Sequence, residues 1–296
     1  IDIDGDVDVI ASAASLNAQQ DVGVAGAELD LTVGSLDAST AAGQIAVIES
    51  DGLALGTVTA VGGNAAITST AGDIQLGTVS AAGNTVTLAA NAGAIVDNNV
   101  GANNLVANTA NLSAAGAIGS AADPLESTIT ALNASAIAGG IFLTESAAAV
   151  LTLNLVSAGG AGSNVVIANT AVGGDIVATS VTAIDDAITL SAATAGGDIR
   201  LGLVDAGACG TVSLTAGAAG TGSIIDIDGD VDVIAGAATL NAQQNVGVAG
   251  TEIDTTVGSL DATTAAGQIA VIESDGLTLG AITAVGGNAA VTSTTG

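Results

Sequence analysis

The sequence predicts an all-β fold, a parallel β-helix (β-solenoid) with coils of roughly 21–26 residues, on three observations. The chain repeats itself: residues 1–72 align with residues 225–296 at an offset of 224 and are identical at 60 of 72 positions. Shorter Gly-punctuated segments of similar wording recur inside that long unit, and nested repetition of this kind points to stacked structural units. Finally, 49% of the residues are hydrophobic, yet there is one Phe, no Trp and no Tyr. A chain that fills its interior with Ala, Val, Leu and Ile has a narrow core built in thin layers, without the aromatic residues that fill a wide one.

These observations predict one continuous solenoid over residues 1–296, with a first copy at 1–224, the start of a second at 225–296 and no separate globular domain. Taken in order, the coils begin with GDVDVIASAASLNAQQDVGVAGA at Gly5 and ELDLTVGSLDASTAAGQIAVIES at Glu28. DGLALGTVTAVGGNAAITSTAG follows at Asp51 and DIQLGTVSAAGNTVTLAANAG at Asp73. Further on, the template returns at Asp175 and Asp198. In the Asp73 segment Ile74, Leu76, Val79, Val86 and Leu88 are expected to point inward, and Gln75, Thr78, Ser80, Thr85 and Thr87 outward. Alternation of period two, bounded by Gly, Asn, Asp and Ser, is the strand signal.

Helix competes, because Ala is the best helix former, but Gly, Val, Thr and Asn recur every few residues without capped 3.6-residue periodicity. Pro124 is the only proline, which suits hydrogen-bonded strands. Residues 94–174 fit the template least well, and Pro124 is expected in a protruding loop. At this coil length a 224-residue unit holds roughly nine or ten coils and rises about 45 Å, given the spacing between strands.

Composition then removes whole classes of function. A net charge of −28, with Arg200 the only base, argues against nucleic acid and against anionic membranes. Apolar runs such as Ala147–Leu153 are far shorter than the roughly 20 residues that cross a bilayer, so no membrane insertion is expected of this segment. Without His, Lys or Tyr, a Ser or Cys nucleophile has no usual activating base, so no enzyme is expected. Cys209 reads as a small buried apolar residue, with an interchain bridge as the alternative.

The sharpest local signal is acidic. Asp2, Asp4, Asp6 and Asp8 share one parity, and Asp226, Asp228, Asp230 and Asp232 repeat them, so a strand here presents four carboxylates on one face. On the coil template Asp6 lies over Glu28 and Asp8 over Asp30, and like charges opposed on a sheet are destabilising. Either water and salt screen these ten carboxylates or a hard cation, Ca²⁺ as the cofactor, sits among them. Arg200 is expected to pair with Asp232 on the following coil.

The wording GDIQLGTVSAAGNTVTLAANAG at 72–93, AIGSAADPLESTITALNAS at 117–135 and GGIFLTES at 139–146 resembles the repetitive regions of filamentous-haemagglutinin-like and autotransporter-type surface proteins of Gram-negative bacteria. That resemblance implies secretion across the outer membrane and a role in adhesion or matrix. The expected function is therefore structural: an extracellular or cell-surface fibre, partnered with itself by axial continuation and lateral bundling, and with other cells or surfaces. One alternative is the stalk of an adhesin presenting loops at Pro124–Ser127 and Gly159–Asn164. Another is an ice-binding solenoid, suggested by Thr57–Thr59, Thr68–Thr70, Thr85–Thr87 and Thr128–Thr130, although these pairs fall at different coil positions.

Overall fold

The computed structural model describes residues 5–217 and 220–295. Among the described residues no helix occurs, about 65% are strand, and the strands pair in parallel through about 13 turns of a β-solenoid. By compactness the chain divides into Ile1–Leu143 and Thr144–Gly296, a boundary unrelated to the sequence repeat. Among the described residues no helix is long and apolar enough to cross a membrane.

In the first unit Ser35–Glu49 pairs with Leu53–Ser69, which pairs with Ile74–Ala90. Equivalent residues are one coil apart, as in Val58↔Val79 and Ala65↔Val86. Ile74, Leu76, Val79, Val86 and Leu88 are all fully buried, as the alternation requires. Leu53, Ile74, Ile95 and Ile118 form one inward row, a single residue per coil. Each such aliphatic side chain contributes about 1.5–3 kcal/mol of burial, so the core gains stability coil by coil.

The second unit has the same construction. Its corresponding row runs Leu151, Ile176, Ile199, Ile224, Val246 and Ile269. That row passes through the junction between the two sequence copies without interruption. Arg200 pairs with Ile225, the first residue of the second copy, and Thr211–Ala216 pairs residue for residue with Ala237–Ala242. The parallel pairing continues across the repeat boundary.

Coil length varies around the expectation. The shortest register joins Leu29 to Val47 and the longest joins Val204 to Val233. In the longest coil the surplus residues form the acidic turn after Asp226, described below. Residues 94–143 show why the template weakens there: Ile95–Asp97 and Leu125–Thr128 are strands of 3 and 4 residues, against 17 in Ile74–Ala90.

Two expectations about exposure, at Pro124–Ser127 and at Cys209, fail. Pro124–Ser127 is not a loop, because Leu125–Thr128 is a strand and Ser127 is buried. The turn lies just before it, pinched by the Ser120 N–H donating to the Asp123 carbonyl at 3.0 Å and the reverse bond at 3.2 Å. Pro124 fits as the residue leading into a strand, where no donor is needed. Cys209 is exposed rather than buried, since Gly207 (φ +70°) turns the chain outward there.

Candidate functional site

The acidic stretch of the second copy does not form one strand. Ile224–Asp226 ends at Asp226, the chain bends through Gly229 (φ +80°), and pairing resumes at Val233. The alternation expected of Asp226, Asp228, Asp230 and Asp232 is therefore broken. Asp226 is 9% exposed and Asp232 fully buried, whereas Asp228 and Asp230 face solvent.

Three of the four carboxylates are held by backbone. Asp226 Oδ1 accepts the N–H groups of Asp228 (2.9 Å) and Gly229 (3.0 Å), and Asp228 Oδ1 accepts that of Asp230 (3.1 Å). Asp232 Oδ2 accepts the N–H of Asp254, one coil on, at 2.8 Å. One oxygen from each of Asp226, Asp228 and Asp232 lies within 4.8 Å of the others, and Asp230 stands outside that group. Asp232 Oδ1 is buried and has no hydrogen-bond partner. Burial pushes the Asp232 carboxyl up to about 8 against the opposing Asp254 N–H, with Asp226, Asp254 and Asp228 adding to the rise. Asp254 itself is raised by burial, then by Asp226 and Glu252.

The first copy repeats the Asp232–Asp254 contacts at Asp8 and Asp30, with Asp8 exposed where Asp232 is buried. Asp2 and Asp4 are outside the described residues. Asp6 is exposed, and Asp8 does lie over Asp30: their backbones bond at 2.8 Å and Asp8 Oδ2 accepts the Asp30 N–H at 3.0 Å. Glu28 turns to its own loop, where Oε1 accepts the Gly26 N–H at 3.0 Å. Arg200 does not reach Asp232. It pairs with Asp175 at 2.7 Å and Asp198 at 3.4 Å, because all three stand on the outward face of one strand row, whereas Asp232 points inward.

A second arrangement escaped the sequence reading. At the corners, where the sheet ladder is interrupted, short polar side chains accept a backbone N–H from a neighbouring coil. Asp37 accepts from Thr57, Asp73 from Ala94 and Asn64 from Thr85. In the second unit the clips run through five coils in series. Asp198 N–H donates to Asp175, Ser223 N–H to Asp198, Asn245 N–H to Ser223 and Gln268 N–H to Asn245, at 2.8–3.3 Å. The signal was the recurring Gly-Asp-Ile at 72–74, 174–176 and 197–199, in which each Asp is a clip. Much of the acid excess is thus structural.

Asp198→Ala leaves the Ser223 N–H without its acceptor in a nearly buried setting, so a loss of about 1–3 kcal/mol is expected in denaturant unfolding. Arg200→Ala removes only part-exposed ion pairs and is expected to cost under about 1 kcal/mol.

Buried glutamates close other corners. Glu49 accepts the Val33 N–H with both oxygens (3.2 and 3.0 Å), and its repeat equivalent Glu273 does the same for Val257. Burial raises the Glu49 carboxyl despite those donors. In the first unit Asp97 Oδ2 and Glu126 Oε2 are both buried without partners. Glu126 is raised by burial first and by Asp97 next.

The stabilising contribution of Glu126 is fully present below the ordinary carboxylate value and is lost as pH rises through its elevated folded value. Glu126→Gln is therefore expected to raise the unfolding midpoint at pH ~7 relative to wild type, and to lose that advantage near pH ~4. Thermal unfolding at the two pH values checks this, and a constant difference between variant and wild type would contradict it.

The Thr-x-Thr pairs do not stack on one another. Thr57 and Thr59 neighbour Thr78 and Ser80, while Thr87 lies between Ala66 and Asn111. Asn111 and Asn133 instead form a ladder contact, Asn133 Nδ2 donating to Asn111 Oδ1 at 2.9 Å. Comparison of the chain with family models, with curated proteins and with solved structures finds no match.

Proposed function

We propose that this chain is a segment of a structural β-solenoid filament at the cell surface or in an extracellular matrix, of the filamentous-haemagglutinin or autotransporter type that its wording resembles. One observation carries the reading: the second sequence copy joins the first through the same parallel pairing and the same inward aliphatic row that link coils within a copy. A repeat whose junction needs no cap and no special linker extends by simple addition, and a solenoid's stability grows with each added neighbour contact.

In this reading the chain does no chemistry, and its function lies in length and stiffness. Its partners are further copies of itself along the axis and at its sides, with other cells or surfaces as the substrate for attachment. The stalk alternative keeps the loop at 159–164, where Asp186 accepts the Gly162 and Ser163 N–H groups at 2.9 Å, but has no loop at Pro124–Ser127.

Electron microscopy of the purified chain, with and without target cells or surfaces, separates the two. Thin unbranched filaments that bundle on their own support the structural reading. Single rods that never associate, with attachment confined to a terminal domain, favour the stalk. Compact particles would remove both.

A further inference from the structure

We propose that Asp226, Asp228 and Asp232 form a site for one hard divalent cation, Ca²⁺ by ligand type, that closes the turn between Ile224–Asp226 and Val233–Ala242. This site is internal to one chain and does not depend on the filament reading.

Three facts carry it. One oxygen of each carboxylate lies within 4.8 Å of the other two, a spread that fits around a single ion with ligands at about 2.4 Å. Asp232, one of the three, is fully buried, and its Oδ1 is a buried acceptor with no hydrogen-bond partner. The charged form is costly in that position, and such groups in folded proteins are protonated, paired or bound to a metal. No side-chain cation answers it, because Arg200, the chain's only base, is engaged by Asp175 and Asp198.

Backbone has also fixed the ligands in advance. Asp226 Oδ1, Asp228 Oδ1 and Asp232 Oδ2 are occupied by N–H donors, which orient the three carboxylates without neutralising them. All-oxygen, all-carboxylate donors select a hard ion; the chain has no His, and Cys209 is not a member of the group. Asp228 is exposed, which leaves one side of the ion open for water to complete six to eight ligands. Because the turn belongs to the repeat, such an ion would recur once in every 224 residues of an extended array.

Calorimetric titration of the intact, chelator-stripped chain with CaCl₂ tests the site; calorimetry suits a protein with no Trp or Tyr to sensitise a lanthanide. A saturable event with a Kd of about 0.1–1 mM, in the range of extracellular calcium modules, is expected. Asp232→Asn and Asp228→Asn should each weaken it at least about tenfold, and Asp228, being exposed, can be changed without threatening the fold. Asp230→Asn, outside the group, should leave it unchanged. Absence of saturable binding in the wild type, equal binding in either ligand variant, or equal weakening by Asp230→Asn would each overturn the proposal, the last by showing a diffuse acidic surface instead of a site.

Discussion

Gly247→Val is expected to unfold the second unit's coil stack around it, with a loss of roughly 3 kcal/mol or more, because overpacking and a left-handed backbone act together. Gly247 sits at φ +62°, and a Cβ there would overlap the Ala270 carbonyl oxygen and lie 2.9 Å from the Ile253 nitrogen. That carbonyl belongs to the next coil and cannot withdraw, since the Ala270 N–H donates to the Val246 carbonyl at 2.8 Å and Val246 pairs with Ile269. Gly23 is the repeat equivalent, at φ +64° and against the Ala46 carbonyl, and Gly119 meets the Phe142 carbonyl in the same way. At Gly250, where φ is +95° but nothing lies within 4 Å, Ala is expected to cost only the backbone term, about 1–2 kcal/mol. Denaturant unfolding of the two variants checks the contrast; equal losses would mean that close coil approach is not the constraint.

Asn104→Leu is the second large effect, expected to cost about 3 kcal/mol in the first unit, since it strands several buried groups at once. Asn104 is fully buried. Its Nδ2 donates to the Leu76 and Gly77 carbonyls (3.3 and 3.2 Å) and to Asp97 Oδ1 (2.6 Å), and its Oδ1 accepts the Glu126 N–H at 2.9 Å. The side chain thus ties together three coils where Leu105–Ala114 begins. Leu has the same heavy-atom branching and adds apolar area, so burial of apolar area alone predicts little loss or a gain. Comparing unfolding midpoints of wild type, Asn104→Leu and Leu105→Ala separates the accounts: hydrogen bonding predicts that both variants fall by similar amounts.

How much of this was legible in the sequence follows from what repeats in it. Ile74, Leu76, Val79, Val86 and Leu88 were readable as inward residues because period-two alternation is a local property of the chain. Asp8 over Asp30 was readable because the coil length is regular there. Asp232 was misjudged for the opposite reason. Parity assumes an unbroken strand, and Gly229 breaks it, turning two of four carboxylates inward and leaving two outside. Arg200 followed the same error, since its partners Asp175 and Asp198 lie on the outward row and were read only as coil starts. The clips were hidden because a side chain that replaces one backbone bond on the next coil leaves no periodicity of its own, only the modest Gly-Asp-Ile recurrence. Glu49 and Glu273 are harder still, because an inward glutamate contradicts every pattern rule until the waiting N–H groups of Val33 and Val257 are seen.

In the filament reading the sequence repeat is a unit of axial growth. Small-angle scattering on chains carrying one, two and three tandem 224-residue units tests it most directly. A constant cross-section and a length that increases by about 45 Å per unit, set by about ten coils at the inter-strand spacing, are expected. A radius of gyration that grows only as a compact globule's does, or a cross-section that thickens with each added unit, would contradict it.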